Sequence, residues 1–413
     1  MTFFIYHPGD INTHPSLPGH PERTHRLWAA LEGAHQADIG PREFLEAVPR
    51  DIGLAEQLHD KSYLDMLTKE TSQKDHLTRL DGGDTYLNHS TLNAALCGVG
   101  GCYDAIDALM YQRATGAMVM SRPPGHHATR TKAMGFCILG TAALASAYAR
   151  EMHGLNVAVL DFDLHHFNGT EDLLWNHEDM LLASTHQADI WPMTGSAESR
   201  GAHGQILNRP LQSGSGSLEM RRAWSDIFAR VRDFEPELII VSAGFDAHAD
   251  DPLSGLNWSI DDYRWLGDRI RSLAETTCEG RVLSILEGGY DLSVLKDGVR
   301  AYLEGICPDF GQVSTRKAVK ASGVPYTAPM SCLKRGRGFA CVKEFSRLWI
   351  QDQSTGSFVY TAPDFLGITS RKELIGFTEV ASRAGEMKIS DIIDFEHGLK
   401  RRFGYRQRSS SDF

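Results

Sequence analysis

Residues 157–170 read Val-Ala-Val-Leu-Asp-Phe-Asp-Leu-His-His-Phe-Asn-Gly-Thr. The run from Val157 to Leu160 reads as a short strand covered on both faces, because its apolarity is continuous rather than alternating. If that strand continues into the polar residues, a period of two places Asp161, Asp163 and His165 on one side. Carboxylate oxygens with an imidazole nitrogen form a ligand set suited to Zn²⁺ or another borderline divalent ion. Asp246, at the end of another apolar run, is the natural further donor. Three protein ligands leave one coordination position open, the arrangement of a catalytic rather than a structural ion. On its own the Asp-x-Asp-x-His pattern is equally consistent with a solvated acidic loop.

The same strand-then-polar pattern recurs along the chain. Phe3–Tyr6, Ala117–Met120, Met180–Ala183, Leu238–Val241 and Val282–Leu286 are further short apolar runs. Helical patterns lie between them at Ser90–Met110, Thr141–Glu151, Leu218–Asp233 and Ile260–Thr277. Alternation of this kind predicts an α/β fold, three layers α/β/α around a mostly parallel central sheet. Four runs end in ionisable residues: Ser121 to His127, Asp161 to His166, Ser242 to Asp246, and Glu287 to Tyr290. Ligands of open α/β sheets bind at the carboxyl ends of the strands, so a shared site is expected there.

Two further elements suit acid–base chemistry. His126 and His127 follow Pro123-Pro124-Gly125, where the prolines restrict the backbone and the glycine permits a turn. Two adjacent imidazoles can divide the labour, one moving a proton and the other supplying charge. Gly288-Gly289-Tyr290 offers a phenol donor on a loop that its glycines leave free to swing, able to reach a developing oxyanion. Taken singly, a His doublet is often fortuitous and a Gly-Gly-Tyr is usually a plain turn.

The chain of 413 residues carries 42 Lys+Arg against 53 Asp+Glu, a formal charge of −11. That average joins two unlike parts. Residues 1–307 hold 25 basic and 42 acidic residues, net −17, whereas residues 308–413 hold 17 and 11, net +6. A boundary near Cys307 follows, with residues 1–307 as the catalytic domain and 308–413 as a partly disordered C-terminal extension of unassigned role. Within that extension Phe358–Tyr360 reads as a strand and Lys372–Ala381 as a helix. An acidic domain disfavours nucleic acid and anionic membranes and suits cationic substrates. The seven cysteines are scattered without a CxxC pair, which suits reduced thiols in the cytoplasm, or a nucleus if the source is eukaryotic. Neither a signal peptide nor a membrane span is expected. Nothing in the sequence decides between a monomer and a homo-oligomer.

Together these segments resemble the histone deacetylase family, in particular its class II branch with the bacterial acetylpolyamine amidohydrolases. The resemblance rests on Arg122-Pro-Pro-Gly-His-His-Ala128 with Gly135-Phe136-Cys137, Asp161 to Thr170, Ser242 to Gly255, and Leu286 to Leu292. His20-Pro21-Glu22-Arg23 and Gly83-Asp84-Thr85-Tyr86 resemble its N-terminal landmarks, and the likeness spans about residues 5–306 in order. It implies the arginase/deacetylase fold and a zinc-dependent amidohydrolase that takes an acetyl or short acyl group from an acylated amine, on a protein lysine or a polyamine.

Residue by residue, the resemblance implies one Zn²⁺ per chain held by Asp163, His165 and Asp246. His127 is implied as general base and acid, His126 as its electrostatic partner and Tyr290 as oxyanion donor. Asp161 and Asn168 would orient the two imidazoles. Phe136 and Trp191 would wall an acyl-lysine tunnel, with Asp84 at its rim. A monovalent cation such as K⁺ would sit near Asp161, Asp163, His165, Ser184 and Thr185.

The chain departs from the pattern at Phe167, where glycine is usual, at Ile138 to Thr141, and at Met193, all in loops that shape the pocket. A two-metal ureohydrolase on this fold would want a carboxylate two residues after Asp246, where this chain has His248. A non-catalytic binder of acyl-lysine or polyamine is the remaining alternative.

Overall fold

Every pairing in the main sheet is parallel. The computed structural model describes residues 2–12, 14, 16–72 and 77–307, and the backbone of four later strands. In chain order the strands are β1 (Thr2–Pro8), β2 (Arg42–Ala47), β3 (Thr78–Arg79), β4 (Tyr86–Leu87), β5 (Ala114–Val119), β6 (Val157–Asp161), β7 (Met180–Gln187), β8 (Ile206–Leu211), β9 (Leu238–Ala243) and β10 (Val282–Leu286). Helices are α1 (His25–Gln36), α2 (Lys61–Thr71), α3 (Thr91–Met110), α4 (Thr141–His153), α5 (Asn168–Leu174), α6 (Ser217–Phe234), α7 (Ile260–Thr277) and α8 (Leu292–Ile306). The eight-stranded sheet runs β2-β1-β5-β10-β9-β6-β7-β8, and β3 and β4 pair separately.

Strands β6, β9 and β10 are buried along their whole length, as continuous apolarity predicts. Alternate residues feed two cores. Ala158 and Leu160 join the core under α1 and α6 to α8, whereas Val157 and Val159 join the one under α2 to α5. This is the three-layer sandwich.

The strand order positions the site. From β5 the chain crosses over two sheet positions to β6, runs outward through β7 and β8, then returns to insert β9 and β10 into the gap. The four strands that end in ionisable residues, β5, β10, β9 and β6, therefore become neighbours at the sheet's centre. Their shared carboxyl edge lies where the connectivity reverses, the usual place for a ligand crevice.

Two edge strands carried no clear apolar run. β2 contains Arg42, Glu43 and Glu46, and β8 contains Asn208, Arg209 and Pro210. Proline and charge are tolerated at an edge, where one side of the strand makes no ladder.

The chain divides into two compact units, Met1–Arg316 and Lys317–Phe413. In the second, β11 (Ser331–Arg335), β12 (Phe339–Glu344), β13 (Arg347–Asp352) and β14 (Phe358–Ala362) form an antiparallel sheet in sequence order. The expected strand at Phe358–Tyr360 lies within β14; the expected helix at Lys372–Ala381 lies outside the described residues.

Candidate active site

The acidic loop after β6 does not continue as a strand. β6 ends at Asp161, and two successive side-chain turns follow. Asp161 Oδ1 accepts the Asp163 N–H at 2.9 Å, and Asp163 Oδ1 accepts the His165 N–H at 2.9 Å. Asp and Asn fold the chain this way because their short side chains cap a backbone N–H two residues on. The expectation of a strand period is corrected accordingly: Asp163 and His165 converge through these turns, while Asp161 is directed to His126.

Asp163, His165 and Asp246 place their ligand atoms within 4.8 Å of one another. His165 Nδ1 lies 3.2 Å from Asp163 Oδ1 and 3.3 Å from Asp246 Oδ2. Burial opposes charge on His165, but hydrogen bonds to Asp163 and Asp246 outweigh it and raise its pKa to about 10. One positive charge is thus shared by three converging donors, which is the demand a divalent ion meets.

Three observations test the fit of an ion. Asp246 Oδ2 is buried and, apart from its 3.3 Å approach to His165 Nδ1, has no hydrogen-bond partner among the described residues. A Cβ on Gly244 would lie 2.1 Å from Asp163 Oδ2, and one on Gly288 would lie 2.3 Å from Asp246 Oδ2. The second oxygen of each carboxylate is fixed, Asp163 Oδ2 by Gly288 N–H at 2.8 Å and Asp246 Oδ1 by Leu164 N–H at 2.9 Å. Oriented carboxylates and one imidazole fit a borderline divalent ion. Gly288 therefore serves the close approach of the Asp163 and Asp246 carboxylates.

The histidine pair stands beside this cluster. His126 Nδ1 is 3.0 Å from Asp161 Oδ2, and His127 Nδ1 is 2.8 Å from Asn168 Oδ1. The His127 ring centroid lies 5.8 Å from that of His165. Burial lowers both imidazoles, yet Asp163, Asp161 and Glu287 reverse this for His126 and raise it to about 10. For His127 the Asp163 charge and the Asn168 hydrogen bond compensate less, and burial with repulsion from His126 and His165 holds it well below the usual histidine range. The two rings are thus pushed in opposite directions.

Tyr290 is buried beneath the Arg26 guanidinium, 4.8 Å from the ring centroid, and meets Phe136 edge-on at 5.9 Å. Burial pushes its phenol well above the ordinary range, so it keeps its proton. Trp191 is 43% exposed and stands edge-on to His127 at 4.6 Å, so it is not a core residue. Phe136 is half-buried with its N–H donated to Thr85 Oγ1 at 2.9 Å. Asp84, the neighbour of Thr85, is exposed, and its carbonyl lies 2.9 Å from His20 Nε2.

Ser184 pairs with Asp161 across β6 and β7. Its Oγ lies 2.9 Å from His186 Nδ1, and Thr185 Oγ1 accepts from Trp224 Nε1 at 3.1 Å. Phe167, at a glycine position of the resembled family, is fully buried in the core under α2 to α5. His248 Nδ1 accepts the Asp250 N–H at 3.1 Å.

Two functional residues escaped the sequence reading. Arg26 is buried on α1, donating to Gly289 O at 2.6 Å, to Glu287 O, and to Glu22 Oε1 at 3.1 Å. Glu22 also holds Arg122 Nε at 2.8 Å. Burial opposes the Glu22 charge, but Arg122, His14 and Arg26 hold its pKa down to about 2. The available signal was one arginine within an otherwise apolar helix stripe, four residues after a glutamate. Glu287 is fully buried and accepts the N–H groups of Gly125 (2.7 Å) and His126 (3.2 Å) through Oε2. Only its position directly after β10 hinted at this.

Residues 18–306 match the family model described as histone deacetylase domain. Rice histone deacetylase 10, chloroplastic (Oryza sativa subsp. japonica) is 36% identical over 311 residues, covering 69% of this chain and 70% of the relative. A probable deacetylase of Archaeoglobus fulgidus is 31% identical over 303 residues, covering 71% and 82%. Among solved structures, the HDA15 HD domain aligns with a TM-score of 0.67 at 28% identity, over 73% of this chain and 88% of that one. The acetylpolyamine aminohydrolase of Burkholderia pseudomallei shares the fold, with a TM-score of 0.62 at 23% identity over 74% and 98%. With its central parallel sheet, paired histidines and converging carboxylates accounted for, the chain belongs to the histone deacetylase family.

Proposed function

We propose that this protein is a zinc-dependent amidohydrolase that removes an acetyl or short acyl group from an acylated amine, a protein lysine or a polyamine. The observation that supports the reading is the position of His126 and His127, with ring centroids 3.9 Å apart and basicities pushed in opposite directions, beside the converging donor atoms of Asp163, His165 and Asp246. Asp163, His165 and Asp246 would hold the Zn²⁺, whose chemistry is Lewis-acid polarisation of the acyl carbonyl and acidification of water.

The chain's own groups account for the rest. Asn168 Oδ1 accepts from His127 Nδ1, which fixes the tautomer and leaves Nε2 as the basic nitrogen. His127 Nε2 takes the proton from water and later gives it to the departing amine. An amide partner adds no full negative charge, so it raises His127 basicity less than a carboxylate would. His126, held by Asp161, supplies positive charge beside the developing oxyanion. The protonated Tyr290 phenol donates a hydrogen bond to that oxyanion.

Trp191 and Phe136 wall the acyl chain, and Asp84 at the rim attracts a substrate amine or main-chain N–H. The net charge of −17 on residues 1–307 favours cationic substrates. Asp161, Asp163 and His165 with Ser184 and Thr185 are assigned a structural K⁺, largely through main-chain oxygens. Cys97, Cys102, Cys137, Cys278 and Cys307 are free and buried, which supports a reducing compartment such as the cytoplasm.

The test is a panel of acetylated polyamines, acetyl-lysine peptides and longer acyl-lysines, incubated with the zinc-loaded full chain. Release of free amine from at least one short-acyl member is expected, and its absence across the panel overturns the reading in favour of a non-catalytic binder.

A further inference from the structure

A second group of mixed donors lies next to the ion-ligand cluster and is not used by the proposed chemistry as a unit. His126, Cys137 and Glu287 bring an imidazole nitrogen, a thiol sulfur and a carboxylate oxygen within 4.8 Å of one another. They are 2%, 0% and 0% exposed. The three come from separate segments, after β5, before α4 and after β10.

Each donor has capacity to spare. Glu287 uses Oε2 for the Gly125 and His126 N–H groups, while its buried Oε1 has no hydrogen-bond partner among the described residues. His126 commits Nδ1 to Asp161, which leaves Nε2. Cys137 Sγ makes a long contact to Gly135 O at 3.4 Å and faces the main-chain N–H groups of His127 and Ala128. A fully buried carboxylate oxygen left unpaired is costly, and such atoms usually answer to a ligand.

The donor types select the ligand. Sulfur with imidazole and carboxylate suits thiophilic and borderline divalent ions, whereas the Asp163, His165 and Asp246 set contains no sulfur. Metal–sulfur and metal–nitrogen bonds of about 2.3 and 2.0 Å require donors roughly 3.3 to 3.8 Å apart. Side-chain adjustments of about 1 Å bring the three donors to that spacing.

We propose that His126, Cys137 and Glu287 form a second, inhibitory site for a thiophilic divalent ion such as Cd²⁺ or excess Zn²⁺. On binding, the Cys137 S–H and His126 Nε2–H bonds break, the sulfur–metal and nitrogen–metal bonds form, and both protons leave to solvent. The Asp163, His165 and Asp246 set, whose carboxylates are already oriented by the Gly288 and Leu164 N–H groups, fills first. Once filled, it engages the imidazole of His126 and stops turnover; this consequence rests on the function proposed above, whereas the binding itself does not.

The experiment titrates Cd²⁺ into the full-length protein loaded with one Zn²⁺. Elemental analysis, thiolate-to-metal ultraviolet absorption and turnover of an acetyl-lysine reporter are followed together. Zinc should be retained, one cadmium gained with a new thiolate band, and turnover should fall as the band grows. Cys137→Ser should abolish that band. Glu287→Gln keeps an oxygen for the Gly125 and His126 N–H groups but should weaken cadmium uptake at least about tenfold. An unchanged band in Cys137→Ser, or cadmium gained only by displacing zinc, overturns the proposal. Inactivity on every reporter would instead sink the proposed function, because the band and the metal count still decide the second site.

Discussion

The Arg26 guanidinium holds the chain on both sides of Gly288 while lying 4.8 Å from the centroid of the Tyr290 ring. Its bonds to Glu287 O and Gly289 O bracket the residue whose N–H fixes Asp163 Oδ2. On the other side, Asp251 Oδ2 accepts the Tyr290 N–H at 2.6 Å. One buried cation thus sets the position of a phenol and, through one intervening residue, that of an ion-binding carboxylate.

Replacing Arg26 with Met should therefore lower turnover by about a hundredfold, the usual consequence of misplacing a reacting group by about 1 Å. Tyr290→Phe removes only the donor and should cost a comparable factor, about 10² to 10³ in kcat, with the ion still bound. The two differ in a binding readout. Arg26→Met should also weaken Zn²⁺ affinity, because Gly288 no longer presents its N–H firmly to Asp163. A metal-binding titration of both variants checks this; equal zinc affinity in the two would remove the link through Gly288.

Removal of the ion should destabilise the catalytic unit. A ligand at about 100 times its Kd stabilises the folded state by about 2.7 kcal/mol. Loading the metal-stripped protein with Zn²⁺ should raise the melting temperature by several degrees, and Asp246→Ala should abolish that increment. Persistence of the increment in Asp246→Ala would show that the ion binds elsewhere.

The centre of the fold was legible because its strands are covered on both faces, so that Val157–Leu160 and Leu238–Val241 had to be apolar throughout. The sheet edges were not, since β2 and β8 carry charge and proline that only an edge admits. In the site, the tandem histidines and Asp163, His165 and Asp246 stood out because each is a polar residue placed where an apolar run stops. Their convergence has a different cause from the expected strand period: Asx turns at Asp161 and Asp163 bring the donors together. Arg26 and Glu287 were hidden because, the Glu22 pairing of Arg26 apart, their partners are main-chain groups of distant segments, which no local spacing encodes.

Glu287 makes stability depend on pH in a defined direction. Burial raises its carboxyl from 4.5 to about 7, against the opposing charge of His126. Between those values the folded state keeps a proton that the unfolded state has lost, so stability falls as pH rises and levels off above about 7. The span corresponds to about 3 kcal/mol. Glu287→Gln should remove this slope. In urea unfolding of metal-stripped protein, the variant should gain on the wild type between pH 5 and pH 8, and a constant difference would refute the assignment.

The loop that carries Trp191 is tied down by a partly buried polar cluster. His166, next to His165, contacts Thr194 Oγ1 at 2.8 Å and Glu171 Oε2 at 3.1 Å. Glu171 also accepts from Asn208 at 2.9 Å and Ser199 at 3.0 Å, so one carboxylate ties α5 to both β8 and the loop. Gly195 is packed so closely that a Cβ would come within 2.3 Å of His186 Nε2. Glu171→Ala leaves three donors without their acceptor and should let residues 190–199 move. Substrate must then order Trp191 on binding, at a cost of about 0.5 to 1.5 kcal/mol. We expect KM to rise roughly 2- to 10-fold while kcat and zinc content hold, since the role proposed for Trp191 is to wall the acyl chain. A fall in kcat accompanied by zinc loss would mean that Glu171 acts through His166 on the ligand His165, and the assignment of the cluster to the tunnel wall would fail.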